Sequence, residues 1–130
     1  MNKGILWIKL DKESKENLIN IVRPNYPKIY CDHITLLYGV YLDNYKEFIG
    51  RNEEIIVLEN NWNNFIQAVT VEIKEELPRD GISPHITISS IIGVSPVKSN
   101  NMLFGIHNNE ILSQRLKLNG KIEFYEFNPK

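Results

Sequence analysis

Two tetrapeptides repeat almost unchanged along this chain: His33-Ile34-Thr35-Leu36 and, 52 positions further on, His85-Ile86-Thr87-Ile88. On an extended strand residues i and i+2 share a face. In each copy the imidazole and the hydroxyl therefore point one way, while Ile34, Leu36, Ile86 and Ile88 point the other way into apolar packing. An imidazole, with an ordinary pKa of about 6.5, takes either protonation state near neutrality, so two of them can divide the roles of general base and general acid. Help of that kind is worth on the order of 10²–10⁴-fold in rate. A hydroxyl two residues from each ring can donate to oxygens on which negative charge grows. Two such pairs facing each other suit in-line displacement at the phosphorus of a phosphodiester, with a proton taken on one side and given on the other. One copy alone would read as an amphipathic strand with His and Thr turned to solvent. Two copies in a chain with three histidines point to a catalytic set of His33, Thr35, His85 and Thr87.

Other residues are weaker candidates. Tyr38 follows the first copy in His-x-Thr-x-x-Tyr-Gly and could bind substrate, by a hydrogen bond to phosphate or by stacking on a base; strict alternation puts it opposite His33 unless Gly39 bends the strand. Trp62, in the run Asn60-Asn61-Trp62-Asn63-Asn64, is a second candidate, since an indole stacked on a nucleobase contributes about 1–3 kcal/mol; the alternative is that it folds back on the core. Lys74 and Arg79 precede the second copy, as cations for a phosphate or as ordinary surface charge. His107 lacks a Thr at i+2 and reads as a loop histidine. Cys31 is the single cysteine, which excludes an internal disulfide and thiolate clusters, and it reads as a strand residue. A metal held by His33, His85 and Asp32 or Asp80 finds no support in a helical His-x-x-x-His or a Cys pair, so neither metal nor cofactor is expected.

Elements must position these groups. Gly4 to Leu10 reads as a buried strand, and Asp11-Lys-Glu-Ser-Lys-Glu caps a helix that runs through Leu18, Ile19 and Val22 until Pro24 and Pro27. Tyr30 to Val40 and His85 to Ile92 read as the strands that carry the two motifs, the second entered through Pro84. Tyr45 to Ile49 is a helical turn. Glu54 to Leu58 and Phe65 to Ile73 are expected to pair across a polar turn at 60–64. Residues 98–113 are ambiguous between a loop and a short helix, and Leu116 to Phe127 alternates as a final hairpin or strand with Asn119-Gly120 as turn or bulge. Strands outnumber helices and no Gly-rich nucleotide loop is present, which favours an α+β fold over a doubly wound one.

The 130 residues, 42% hydrophobic and 24% charged, fit one globular domain spanning 1–130. A net charge of −1 gives no general attraction to long nucleic acid, so stable binding to it is not expected, while a small phosphate-bearing ligand remains open. No apolar stretch approaches the length of about 20 residues that spans a bilayer. A signal peptide is not expected either, and the cytoplasm is the default location.

The paired His-x-Thr motifs resemble those of the two-histidine (LigT-like) phosphoesterase superfamily. Cys31-Asp32-His33-Ile34-Thr35-Leu36, Ser83-Pro84-His85-Ile86-Thr87-Ile88 and the terminal Leu118-Asn-Gly-Lys-Ile-Glu-Phe-Tyr are most similar to the cyclic phosphodiesterase domain of tRNA-splicing ligases. The resemblance implies a bilobal α+β fold with two antiparallel sheets, related by a pseudo-twofold axis around a central cleft, and helices outside. It implies hydrolysis of 2′,3′-cyclic phosphate or related RNA-type phosphodiesters without a metal, one histidine acting as base and the other as acid, on a nucleotide or RNA-end substrate. This chain has no room for ligase or kinase modules. Small freestanding relatives degrade the cyclic oligonucleotide signals of anti-phage defence, and a catalytically silent nucleotide-sequestering module is a further alternative. Oligomeric state is not legible.

Overall fold

The computed structural model describes residues 2–128. The chain enters as β1 (Lys3–Leu10), in which Leu6, Ile8 and Leu10 are buried and Ile5, Trp7 and Lys9 face the other way. Asp11 ends the strand and caps α1 (Lys12–Val22) by accepting from Ser14 N at 2.7 Å, as expected from the sequence. Arg23, at φ 63°, closes the helix just before Pro24. A two-residue strand, β2 (Lys28–Ile29), leads to β3 (His33–Tyr41), which carries the first motif. Two short 3₁₀ turns, Leu42–Asn44 and Lys46–Phe48, precede β4 (Asn52–Trp62), β5 (Ile66–Glu72) and β6 (His85–Ser90), the strand of the second motif. Then come α2 (Lys98–Phe104) and β7 (Asn108–Glu126).

Two polar stretches, one expected as a turn and one as a turn or bulge, are regular strand. Asn60, Asn61 and Trp62 extend β4 against both β5 and β7, because each finds backbone partners on two sides, and the reversal falls instead at Asn63, whose side chain accepts from Phe65 N and Ile66 N. Asn119-Gly120 does not turn either; β7 runs through it for 19 residues. Glycine is required there for close approach, since a Cβ would lie 2.7 Å from Ile8 Cγ2 and from the Lys9 carbonyl. The buried Ser14 hydroxyl accepts from Asn119 N and so joins α1 to this strand.

Helices and antiparallel strands together make an α+β, barrel-like fold. The resemblance implied two separate sheets, whereas the ladders join all seven strands in the order β2-β6-β3-β1-β7-β4-β5, and β5 also pairs with β6 to close the circuit. The junction is narrow on one side: β3 and β6 meet through the single pair Ile34–Ile86. Inside the circuit Leu6, Ile8, Ile34, Leu36, Ile55, Ile86, Ile88, Leu118 and Ile122 pack with Leu18 of α1. No helix among the described residues is long and apolar enough to cross a membrane.

Candidate active site

Because Ile34 and Ile86 are buried and paired, the residues that alternate with them share the opposite face. Continuing that antiparallel register sets His33 beside Thr87 and Thr35 beside His85. The structure thus brings the four motif residues together on one face, outside the core. Proximity also shows in protonation: the charge of His85 is among the influences that lower the pKa of His33.

The rows on either side extend the site. From β7 through β1 to β3 they read Lys121, Lys9, His33; then Glu123, Trp7, Thr35; then Tyr125, Ile5, Tyr38. Tyr38 reaches this face because Leu36 is left without a partner in the β1–β3 register, a bulge that resets the alternation before it; a second bulge, at Gly39, follows it. Its ring is 68% exposed and packs on Phe127 with centroids 5.1 Å apart. From β6 to β5, His85 lies opposite Thr70 and Thr87 opposite Ala68. Trp62 is not gathered into this face: it ends β4 opposite Gln67 and Asn108, while its neighbour Asn61 lies opposite Ala68.

Each imidazole is tied back through Nδ1. Asp32 Oδ2 lies 3.4 Å from His33 Nδ1, and the same carboxylate accepts from Lys9 Nζ at 2.7 and 2.8 Å. Trp7 packs against the His33 ring, centroids 4.3 Å apart, and is stacked in turn on Tyr125 at 5.1 Å. His85 Nδ1 donates to the Ser83 carbonyl at 2.8 Å, since a carbonyl can only accept. Both rings therefore keep Nε2 for the site. The Nε2 of His85 lies 3.1 Å from Ser99 Oγ, which is also 3.0 Å from Thr87 Oγ1.

Burial lowers the pKa of both histidines. The Asp32 hydrogen bond and charge oppose this at His33; at His85 the Ser83 carbonyl and the charge of Asp80 do so. Burial would raise Asp32, but the Lys9 ammonium and His33 more than offset it and the carboxyl ends below its ordinary value. Two buried polar atoms flank the motifs with no partner among the described residues, Trp7 Nε1 in the Thr35 row and Thr70 Oγ1 in the His85 row.

Sequence reasoning missed Trp7, Lys9 and Ser99, and named Asp32 only as a metal ligand. The adjacency of Asp32 to His33 was the one signal available. Of the remaining candidates, Lys74 sits 3.6 Å from Glu53, and the Arg79 guanidinium donates to the Leu77 and Lys74 carbonyls. His107 lies in the loop between α2 and β7, as expected, but is half-buried rather than exposed, its Nε2 3.1 Å from Asn61 Oδ1. Cys31, at φ 53°, lies buried between the motif strands with N–H donated to the Thr87 carbonyl, and burial pushes its thiol up to about 11, which removes the thiolate a nucleophile needs. Among the described residues no three His, Cys, Asp or Glu side chains cluster so as to hold a metal.

No family model and no curated protein matches this chain. Among solved structures its fold is similar to the crystal structure of a fungal RNA kinase, with a TM-score of 0.65 and 15% identity over 95% of this chain and 46% of that one. The chain spans about half the length of that relative, and at this level of identity what the two share is the fold.

Proposed function

We propose that this protein is a metal-independent phosphodiesterase that hydrolyses 2′,3′-cyclic phosphate or related RNA-type phosphodiester bonds by general acid–base catalysis, with His33, Thr35, His85 and Thr87 as its catalytic residues. The observation that carries the reading is the shared face of two imidazoles whose Nδ1 atoms are both engaged, so that both present Nε2, each with a threonine hydroxyl beside it. The pseudo-twofold relation implied by the family resemblance finds support in the Ile34–Ile86 bridge, about which the motifs are symmetrically disposed. Likeness to a fungal RNA kinase is compatible with an RNA or nucleotide substrate. Tyr38, exposed on the same face, would stack on a base or contact phosphate.

In this mechanism one neutral imidazole takes a proton from water as its oxygen bonds to phosphorus. The other imidazole, protonated, gives its proton to the ribose oxygen as the P–O bond breaks. Thr35 and Thr87 donate to the non-bridging oxygens. Burial leaves both rings short of protons, and an anionic phosphate between them restores proton affinity where it is needed. Asp32 favours the charged form of His33, which supports His33 as the acid and leaves His85 as the base.

Turnover in excess EDTA tests this, with 2′,3′-cyclic nucleotides and cyclic-phosphate-ended RNA set beside 3′,5′-linked cyclic di- and trinucleotides, and His85→Ala as control. Cleavage of the 2′,3′-cyclic substrates is the expected result. Cleavage confined to cyclic oligonucleotides would make the protein a signal-degrading nuclease, and no cleavage would leave a sequestering module.

A further inference from the structure

The helix α2 lies over β5 beside the second motif, anchored by Met102 on Ile66 and Ala68. Its Ser99 is 1% exposed, and the Ser99 hydroxyl has three neighbours: His85 Nε2 at 3.1 Å, Thr87 Oγ1 at 3.0 Å and the Pro96 carbonyl at 2.8 Å. With the ring proton on Nδ1, Nε2 of neutral His85 accepts, so the single Ser99 proton is shared between Nε2 and the Pro96 carbonyl. Its lone pairs take the Thr87 hydroxyl proton and, once His85 has gained a proton as the base, that of Nε2. A non-bridging phosphate oxygen would offer the same pair of groups the same thing.

We propose that Ser99 is the positioning residue of the second motif: its hydroxyl holds His85 Nε2 and Thr87 Oγ1 at the seat that a substrate phosphate oxygen takes over. The inference rests on the reading of this face as a phosphodiester site. Because His85 Nδ1 is committed to Ser83, Nε2 is the only nitrogen the ring can use, and substrate must displace Ser99 to reach it. The segment can give way. α2 has seven residues and no side-chain cap at its start, and Ile92, Val97 and Phe104 in and around it are exposed rather than packed. The first motif has no counterpart, since among the described residues no protein group bonds to His33 Nε2.

Inorganic phosphate is the probe, its binding to the full chain followed through the imidazole Cε1–H resonances by NMR. Ser99→Ala keeps a helix-forming residue and removes the competing hydroxyl; phosphate should bind about fivefold more tightly, the worth of one ordinary hydrogen bond. Ser99→Thr keeps the hydroxyl and should retain wild-type affinity. Unchanged or weaker binding to Ser99→Ala overturns the proposal, and Ser99→Cys, close to serine in size with only a weakly hydrogen-bonding thiol, decides the matter if the alanine variant does not fold. His85→Ala separates the two ways of failing. If it abolishes phosphate binding while loss of the Ser99 hydroxyl does not tighten it, Ser99 alone is misassigned; if phosphate binds wild type and His85→Ala alike, or binds neither wild type nor the Ser99 variants, the phosphate site itself is misplaced and Ser99 with it.

Discussion

The two motifs share the letters His-Ile-Thr and a strand conformation, yet their surroundings differ. Around His33 the chain gathers a carboxylate, the lysine that neutralises it and an indole packed on the ring, all from the adjacent residue or the neighbouring strand. Around His85 it gathers a backbone carbonyl and a buried serine hydroxyl, from the loop before the strand and the helix after it. A duplicated motif fixes which groups are present and on which face. What makes the copies unequal is the partner behind each Nδ1: a carboxylate at His33, and at His85 a carbonyl dipole, with the charge of Asp80 acting outside any hydrogen bond. In the proposed mechanism this difference gives two identical side chains different parts.

The largest test of that inequality is chemical. His33→Ala and His85→Ala should each lower turnover of a ribose-leaving substrate by about 10²–10⁴-fold with little change in melting temperature. On a phosphodiester with a nitrophenolate leaving group, which departs without a proton, His33→Ala should recover most of the loss and His85→Ala should not. The reverse pattern would exchange the two roles, and equal behaviour would break the comparison. Thr35→Ala and Thr87→Ala should cost less than either histidine, since each removes a donor and no proton-transfer group; equal losses in all four variants would mean that binding dominates over chemistry.

A smaller effect isolates the carboxylate. Asp32→Asn should move the NMR titration midpoint of His33 further down, because the anion opposes the depression caused by burial, and leave that of His85 in place. A shift of both, or of neither, would show that the Asp32 contact does not distinguish the motifs. The smallest expected effect is on stability against pH. Both imidazoles bind protons less readily folded than unfolded, so the unfolded chain gains protons first as pH falls; stability is full above about pH 6.5 and declines below it, towards the folded-state midpoints. Chemical denaturation from pH 8 to 5 should show the decline, and His33→Gln and His85→Gln should each remove a share of it. Asp32, lowered in the fold, adds a separate loss only as pH falls below the ordinary carboxylate range.

The common face of the four motif residues was legible because a strand's alternation is local: once His and Thr stand two apart beside buried isoleucines, it follows. The capped start of α1 was legible for the same reason. What supports His33 was not, since Trp7 and Lys9 reach it through the β1–β3 register, which no short stretch of sequence encodes. Tyr38 changed faces because a bulge at Leu36 interrupts that register, and the polar run at 60–62 became strand because β5 and β7 satisfy its backbone from both sides. Ser99 lay in a stretch readable as loop or helix, and only the packing of Met102 on Ile66 and Ala68 decides which way its hydroxyl turns.

The pairing of β1 with β7 sets the order in which the site can come into being. Gly4 meets Glu126, and the contact runs back to Leu10 opposite Gly120. A ribosome delivers Trp7 and Lys9 long before it delivers the strand that clamps them from the far side, and pairings so distant along the chain form slowly. A nascent chain that has already emerged past His85 carries both motifs and still lacks a fixed seat for His33. The support behind β1 is therefore complete only when residues 120–126 have paired with it.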